Sequence, residues 1–340
     1  MYFANLAYRQ LMDIQANFFQ KIKSSIPSYS SLVDIVSEVL EISQDSAYRR
    51  IRGEKLLDFK EIEILSSKFN ISIDEVVSKN SNTILFKGEQ NTFDDGNFLK
   101  WMQDVLFQLE MVNSFSKKHI YFLLKDAPPW YHYYHPELAS FKFFFWMKSI
   151  LFNENLKDKR FSIQNSQFPG LFELTQKILK TYNKIDTTEI WNMEGFNTTL
   201  KQIELYHEMG ITEKKEDTHR LYVCLLEVLD HLECMAESGK KFLPNSSVSE
   251  NMAEYQFFVN EFVLGDNTFF VEIDNQKLTY LNYNVIYFIG TSDPSFNEGM
   301  YKNIQNLIQK SSQISKVGEK ERKQFFNKLR SKVQRRIDLL

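Results

Sequence analysis

Between Leu32 and Leu40 the apolar residues Leu32, Ile35, Val36, Val39 and Leu40 form one stripe at helical spacing. This spacing predicts a short helix that buries one face. Its start is marked by Ser31, a capping residue with Asp34 three positions later, and the same device recurs at Asp58 with Glu61 and at Ser72 with Glu75. The first eighty residues therefore predict a series of short helices. One of them is SQDSAYRRIRGE, Ser43 to Glu54, which Ser43 can cap and which Gly53 can close in a left-handed conformation. Ala47 and Ile51 lie four apart and face inward, whereas Asp45, Tyr48, Arg49 and Arg52 share the opposite face.

Residues 78–96 change to polar and turn-forming types around one short apolar run, which marks a boundary. Beyond it, helical spacing returns over 97–115, 136–152, 168–183, 196–209, 217–237 and 249–264. Residues 267–290 instead alternate aromatic and β-branched residues with polar ones across Asp274-Asn275 and Asn282, predicting two or three antiparallel strands. A last pair of helices is expected over 296–311 and 318–338. The expected fold class is mainly α: a helix-turn-helix domain over 1–78, a linker over 79–96, and a mostly helical domain over 97–340 with a small antiparallel β-sheet.

Composition supports order nearly throughout. The chain has 340 residues, 43% of them hydrophobic and 15% aromatic, with only 11 glycines and 7 prolines. No window reaches about 18 uncharged apolar residues, and the first residues lack the basic-then-apolar pattern of a secretory leader. No membrane association is expected. Cys224 and Cys234, ten positions apart on one expected helix, are too distant for a disulfide, so a reducing, cytoplasmic setting is expected.

Charge becomes informative once divided along the chain. Residues 1–80 carry 10 basic and 11 acidic side chains, 81–309 carry 21 and 30, and 310–340 carry 10 and 3. No single-sign field covers the molecule, and anion binding must come from local clusters at 49–55 and 316–336.

Two short helices joined by a tight turn, the second exposing polar and basic residues near its start, suit the DNA major groove. The run Val39-Leu40-Glu41-Ile42-Ser43, then Ala47, then Ile51-Arg52-Gly53, followed by LLDFKEIEILSSKFNISIDEVV, resembles the λ-repressor-like helix-turn-helix family of regulators, the Cro/XRE group. The resemblance covers roughly residues 14–78 and implies a five-helix domain whose third helix meets double-stranded DNA. Glu41 departs from the family's usual turn glycine, and Arg50 stands where an apolar residue is common. Position by position, the resemblance assigns Gln44, Asp45 and Arg49 to base reading. It assigns Ser43, Tyr48, Arg52 and Lys55 to backbone phosphates; Arg50, the departure, is expected either to point to solvent or to snorkel along the surface to a phosphate. Asp45 can also hold Arg49 through an i, i+4 pair.

A bacterial-type transcription regulator acting as a homodimer is thus expected, because one such domain reads few base pairs. The larger domain is expected to dimerise, and a small-molecule or peptide effector remains open, with Tyr131, His132 and His135 as candidate contacts in an aromatic segment. The alternative is a helical adaptor whose small domain binds protein. Cys224, Glu227, His231 and Cys234 share one sector of a single helix, but one helix rarely supplies four ligands, so no metal or other cofactor is expected. The basic tail, with an apolar stripe at Phe325, Phe326, Leu329, Val333 and Ile337, is expected to dock on its own domain or a second subunit. No nucleotide-cradle, zinc-protease or hydrolase motif occurs, and no enzymatic activity is expected.

Overall fold

A computed structural model describes residues 14–27, 30–77, 84–88, 95–166, 168–261, 265–283 and 285–340. The chain divides into two compact units, Met1–Leu85 and Phe86–Leu340. Most of the expected linker, 79–83 and 89–94, lies outside the described residues.

The first unit holds five helices among its described residues: α1 (14–24), α2 (Leu32–Val39), α3 (Gln44–Ile51), α4 (Phe59–Phe69) and α5 (Asp74–Val77). Their buried faces meet at Phe18, Phe19, Ile22, Val36, Ala47, Leu65, Ile71 and Val76. Three of the start signals act as caps: Ser31 accepts from the Asp34 N–H, Ser43 from Ser46, and Asp58 with Glu61 forms a full capping box. The helix ends show how the turns are made. Glu41 adopts φ 54° after α2, and the Glu41 and Ile42 amides return to the Glu38 and Ser37 carbonyls at 3.2 and 3.0 Å. Gly53 does the same after α3 with φ 77°, its amide and that of Glu54 reaching the Arg50 and Arg49 carbonyls at 3.0 and 2.8 Å. Glu41 thus occupies a left-handed position that glycine would take without strain.

The second unit corrects the expected fold class. It is an α/β unit built on a seven-stranded mixed sheet in the order β6-β5-β4-β1-β2-β3-β7. Strands β1 (Lys118–Leu124), β2 (Asp186–Trp191) and β3 (Tyr255–Val259) run parallel at its centre. Strands β4 (Thr268–Ile273), β5 (Gln276–Asn282) and β6 (Phe288–Thr291) continue it antiparallel on one side, and the short β7 (Ser312–Gln313) closes the other. The antiparallel part is the one alternation predicts. Central strands are enclosed, and β2, DTTEIW, is buried at every position after the first although its first four residues are polar, so no apolar period marks it in the sequence. The expected helix over 249–264 is replaced by β3, whose Tyr255, Phe257 and Val259 alternate inside a run that also satisfies helical spacing.

The helices of this unit are α6 (Asp95–Ser114), α7 (Pro136–Phe145), α8 (Pro169–Tyr182), α9 (Asn197–Glu208), α10 (Lys215–Ser238), α11 (Pro294–Gln309) and α12 (Glu319–Leu339). One sheet face packs α11, through Tyr301 on Tyr121 and Phe270, and through Leu307 and Ile308 beside Ile190 and Phe258. The other face meets the aromatic core of α7, α8, α10 and α12. Within it the wholly buried Glu189 of β2 gathers four donors. The hydroxyls of Tyr131, Tyr182 and Tyr255 and the Trp191 indole N–H all point to its carboxylate, Tyr182 at 2.7 Å, Trp191 at 2.7 Å and Tyr255 at 2.9 Å. α12 lays Phe325, Phe326, Leu329 and Val333 on its own unit, against α10. Much of its basic charge is answered there, Arg330 by Asp230 and Glu233, and Arg336 by Glu204.

Candidate nucleic-acid interface

Helix α3 is held from behind and open in front. Ala47 is fully buried beside Val36 and Leu65, so the helix cannot roll without opening the core. Gln15 of α1 fastens its far end: the amide Nε2 donates to the Arg50 and Lys55 carbonyls at 2.7 and 2.8 Å, and Oε1 accepts from the Leu57 amide at 2.8 Å. The loop leaving the helix is therefore fixed by a buried side chain from forty residues upstream.

The outward face carries Gln44, Asp45, Tyr48, Arg49 and Arg52, all exposed, with exposed Lys55 just beyond. The Arg49 and Arg52 side chains are 56% and 59% exposed, which leaves their guanidinium forks available to an anion. Each has a weak resident partner in Glu54, at 4.0 Å from Arg49 and 3.5 Å from Arg52. Arg49 thus turns to the carboxylate past the helix end, where Asp45 was expected. Arg52 also lies over the Tyr48 ring, 5.4 Å from its centroid. Gln44 donates from Nε2 to Asp34 Oδ1 at 2.7 Å, which aims its amide across the start of the helix. Ser43 is engaged as the cap, accepting from the Ser46 amide at 3.3 Å.

Arg50 is the correction within this set. It was assigned to a phosphate, but its side chain is only 5% exposed. Its Nε donates to both Glu61 oxygens at 3.0 and 3.1 Å and its Nη1 to the Ser46 carbonyl at 3.0 Å. The charge buried at this position brings its own counter-ion from α4. Glu61 also serves the α4 capping box, so one carboxylate joins the two helices. Gln15, Asp34, Glu54 and Glu61 all shape the face; Asp34 and Glu61 had a sequence signal, but only as the residues three positions after a capping Ser31 and Asp58.

The candidate effector contacts lie elsewhere, in the second unit. Tyr131 and His132 sit inside the core, 0% and 1% exposed. The Tyr131 hydroxyl is bound to Glu189, and burial first, then that carboxylate, pushes its pKa well up. His132 Nε2 bonds Thr199 Oγ1 at 2.8 Å, and burial, with Lys142 nearby, holds the ring neutral. Both are spent on packing rather than aimed into an opening. His135 is part-exposed, its Nδ1 3.3 Å from Glu227 Oε2. The metal set read from one helix does not assemble: His231 Nε2 bonds the Phe242 carbonyl at 2.9 Å, and Cys234 is exposed.

No described helix is long and apolar enough to cross a membrane. Comparison of the chain with protein-family models, with curated proteins and with solved structures finds no match in any of the three.

Proposed function

We propose that the protein is a cytoplasmic, sequence-specific transcription regulator that lays α3 in the major groove of double-stranded DNA and acts as a homodimer through its larger unit. The observation that carries the reading is the face itself: two exposed arginines, a tyrosine and an oriented glutamine on a short helix whose back is locked by Ala47 and Gln15. Gln44 stands at the helix start, where side chains reach base edges, and Arg49 follows one turn later on the same face; bidentate pairing of this kind is worth about 1–3 kcal/mol of discrimination. Arg52 and Lys55 lie further along and meet phosphates. Glu54 is released when phosphate replaces it.

A selection of bound sequences from random duplex DNA tests binding, preference and half-site symmetry together. Arg52→Ala is expected to weaken binding on all sequences and lower the slope of log affinity against log salt by about 1, whereas Arg49→Ala blurs preference at one base. Unchanged binding in both variants overturns the assignment.

One observation favours a second reading, in which the small unit binds protein. Phe59 is 90% exposed, and Leu56, Ile73 and Val77 border an apolar hollow of about 120 Å³ in the same unit. An adaptor of this kind would show no steep salt dependence on DNA and would lose partner binding on Phe59→Ser.

A further inference from the structure

The segment that leads into α7 brings a third ligand type to a pair already adjacent on α10. Cys224 and Glu227 lie three apart on one face of that helix, and His135 comes from the turn before Pro136. One ligand atom from each, a His135 ring nitrogen, Cys224 Sγ and a Glu227 oxygen, lies within 4.8 Å of both others. The carboxylate is already oriented: Glu227 Oε1 accepts from Arg220 Nη1 at 3.1 Å, which leaves Oε2 facing His135 at 3.3 Å. Arg220 is itself held by Glu137, Nε to Oε1 at 3.0 Å. Cys224 is buried and free, so no disulfide competes for its sulfur.

We infer that His135, Cys224 and Glu227 form a binding site for a divalent cation of the zinc class. The donor set decides the class: a thiol sulfur, an imidazole nitrogen and a carboxylate oxygen suit zinc, whereas calcium and magnesium call for oxygen alone. Zinc bonds of about 2.0–2.3 Å require donor atoms roughly 3.5 Å apart; His135 and Glu227 already stand at 3.3 Å, so the approach still needed, about an ångström, is between this pair and the Cys224 sulfur. The fourth position falls to water, because Glu227 and His135 border solvent. Binding replaces the thiol proton by the metal and releases that proton to solution. The charges then balance, the cation and Arg220 together opposing Glu137, Glu227 and the Cys224 thiolate. Arg220 acts as the group that orients Glu227 rather than as a rival for the site. The bound ion would pin the turn before α7 to α10, two segments about ninety residues apart.

The inference is independent of DNA binding and is tested on the full chain. Protein stripped with a chelator is titrated with zinc against a chromophoric competitor, and separately with cobalt(II), whose bond to a thiolate gives a near-ultraviolet charge-transfer band. One equivalent of tight binding and a band that survives Cys234→Ser but vanishes in Cys224→Ser are expected. Glu227→Gln, at a half-exposed position that leaves the fold intact, and His135→Gln are each expected to weaken zinc at least about tenfold and to abolish the zinc-induced rise in melting temperature. Absence of stoichiometric binding, a band that persists without Cys224, or zinc affinity unchanged in Glu227→Gln would overturn the site.

Discussion

Arg50 and Arg52 stand two residues apart and have opposite fates. Arg52 projects to solvent over Tyr48, while Arg50 points inward to Glu61. Removing one partner of an enclosed ion pair leaves the other uncompensated, so Arg50→Ala is expected to cost about 3–5 kcal/mol in denaturant unfolding. Arg52→Ala, far from any buried partner, is expected to stay within about 0.5 kcal/mol. If the two arginines proved equally dispensable, Arg50 would have to be facing solvent. Spacing alone places Arg50 beside the apolar positions of α3, and a basic residue there has no natural reading until Glu61 is known to lie across from it.

At the scale of elements, the turn between α2 and α3 depends on a left-handed Glu41, held by the paired amide-to-carbonyl bonds of Glu41 and Ile42. Glu41→Gly removes the side-chain strain of that conformation, and although glycine loses more backbone freedom on folding, a gain of about 0.5–1 kcal/mol is expected. A loss of stability on thermal unfolding would contradict the assigned turn. The helices of both units were legible because each turns one apolar stripe to a core, or opens on a capping residue. Strands β1 and β2 were not: the unbroken apolar run IYFLL of β1 lacks the alternation that made β4 and β5 visible, and β2 buries the polar residues Thr187, Thr188 and Glu189, which no apolar pattern announces. On the candidate face the exposed row of α3 was readable from its period. Gln15 and Asp34 were not, because the bonds that make them matter join residues ten to forty-two positions apart.

Across the whole molecule, pH bears on stability through groups enclosed in the interior of the second unit. Burial pushes the Asp126 carboxyl up to about 6, with Lys142, the Ala127 amide and Thr198 offsetting part of that rise. Burial also lowers the Lys142 ammonium to about 8. A carboxyl raised in the folded state binds more protons there than when unfolded, so its contribution is fully present near pH 4 and is lost as pH rises through 6. The lysine works the other way: its buried charge opposes folding below pH 8, and that penalty fades between 8 and 10.5. Unfolding free energy is therefore expected to fall by up to about 3 kcal/mol between pH 4 and 7 through Asp126. Asp126→Asn should flatten that acid limb and leave the alkaline rise in place; an unchanged limb would show that the carboxyl is well solvated. At the same scale, light scattering should give a dimer at micromolar concentration, and a monomer with and without DNA would count against the homodimer.

The four donors around Glu189 come from β2, β3, the end of α8 and the turn before α7, so a single side chain is shared by segments that would otherwise be free to loosen in sequence. None of these pieces can detach without stranding a polar atom in an apolar interior, at about 1–3 kcal/mol for each orphan. The centre of the sheet should consequently breathe as one body: amide protons of β1, β2 and β3 are expected to exchange with deuterium at a common slow rate set by global opening, and Glu189→Leu to release them all together.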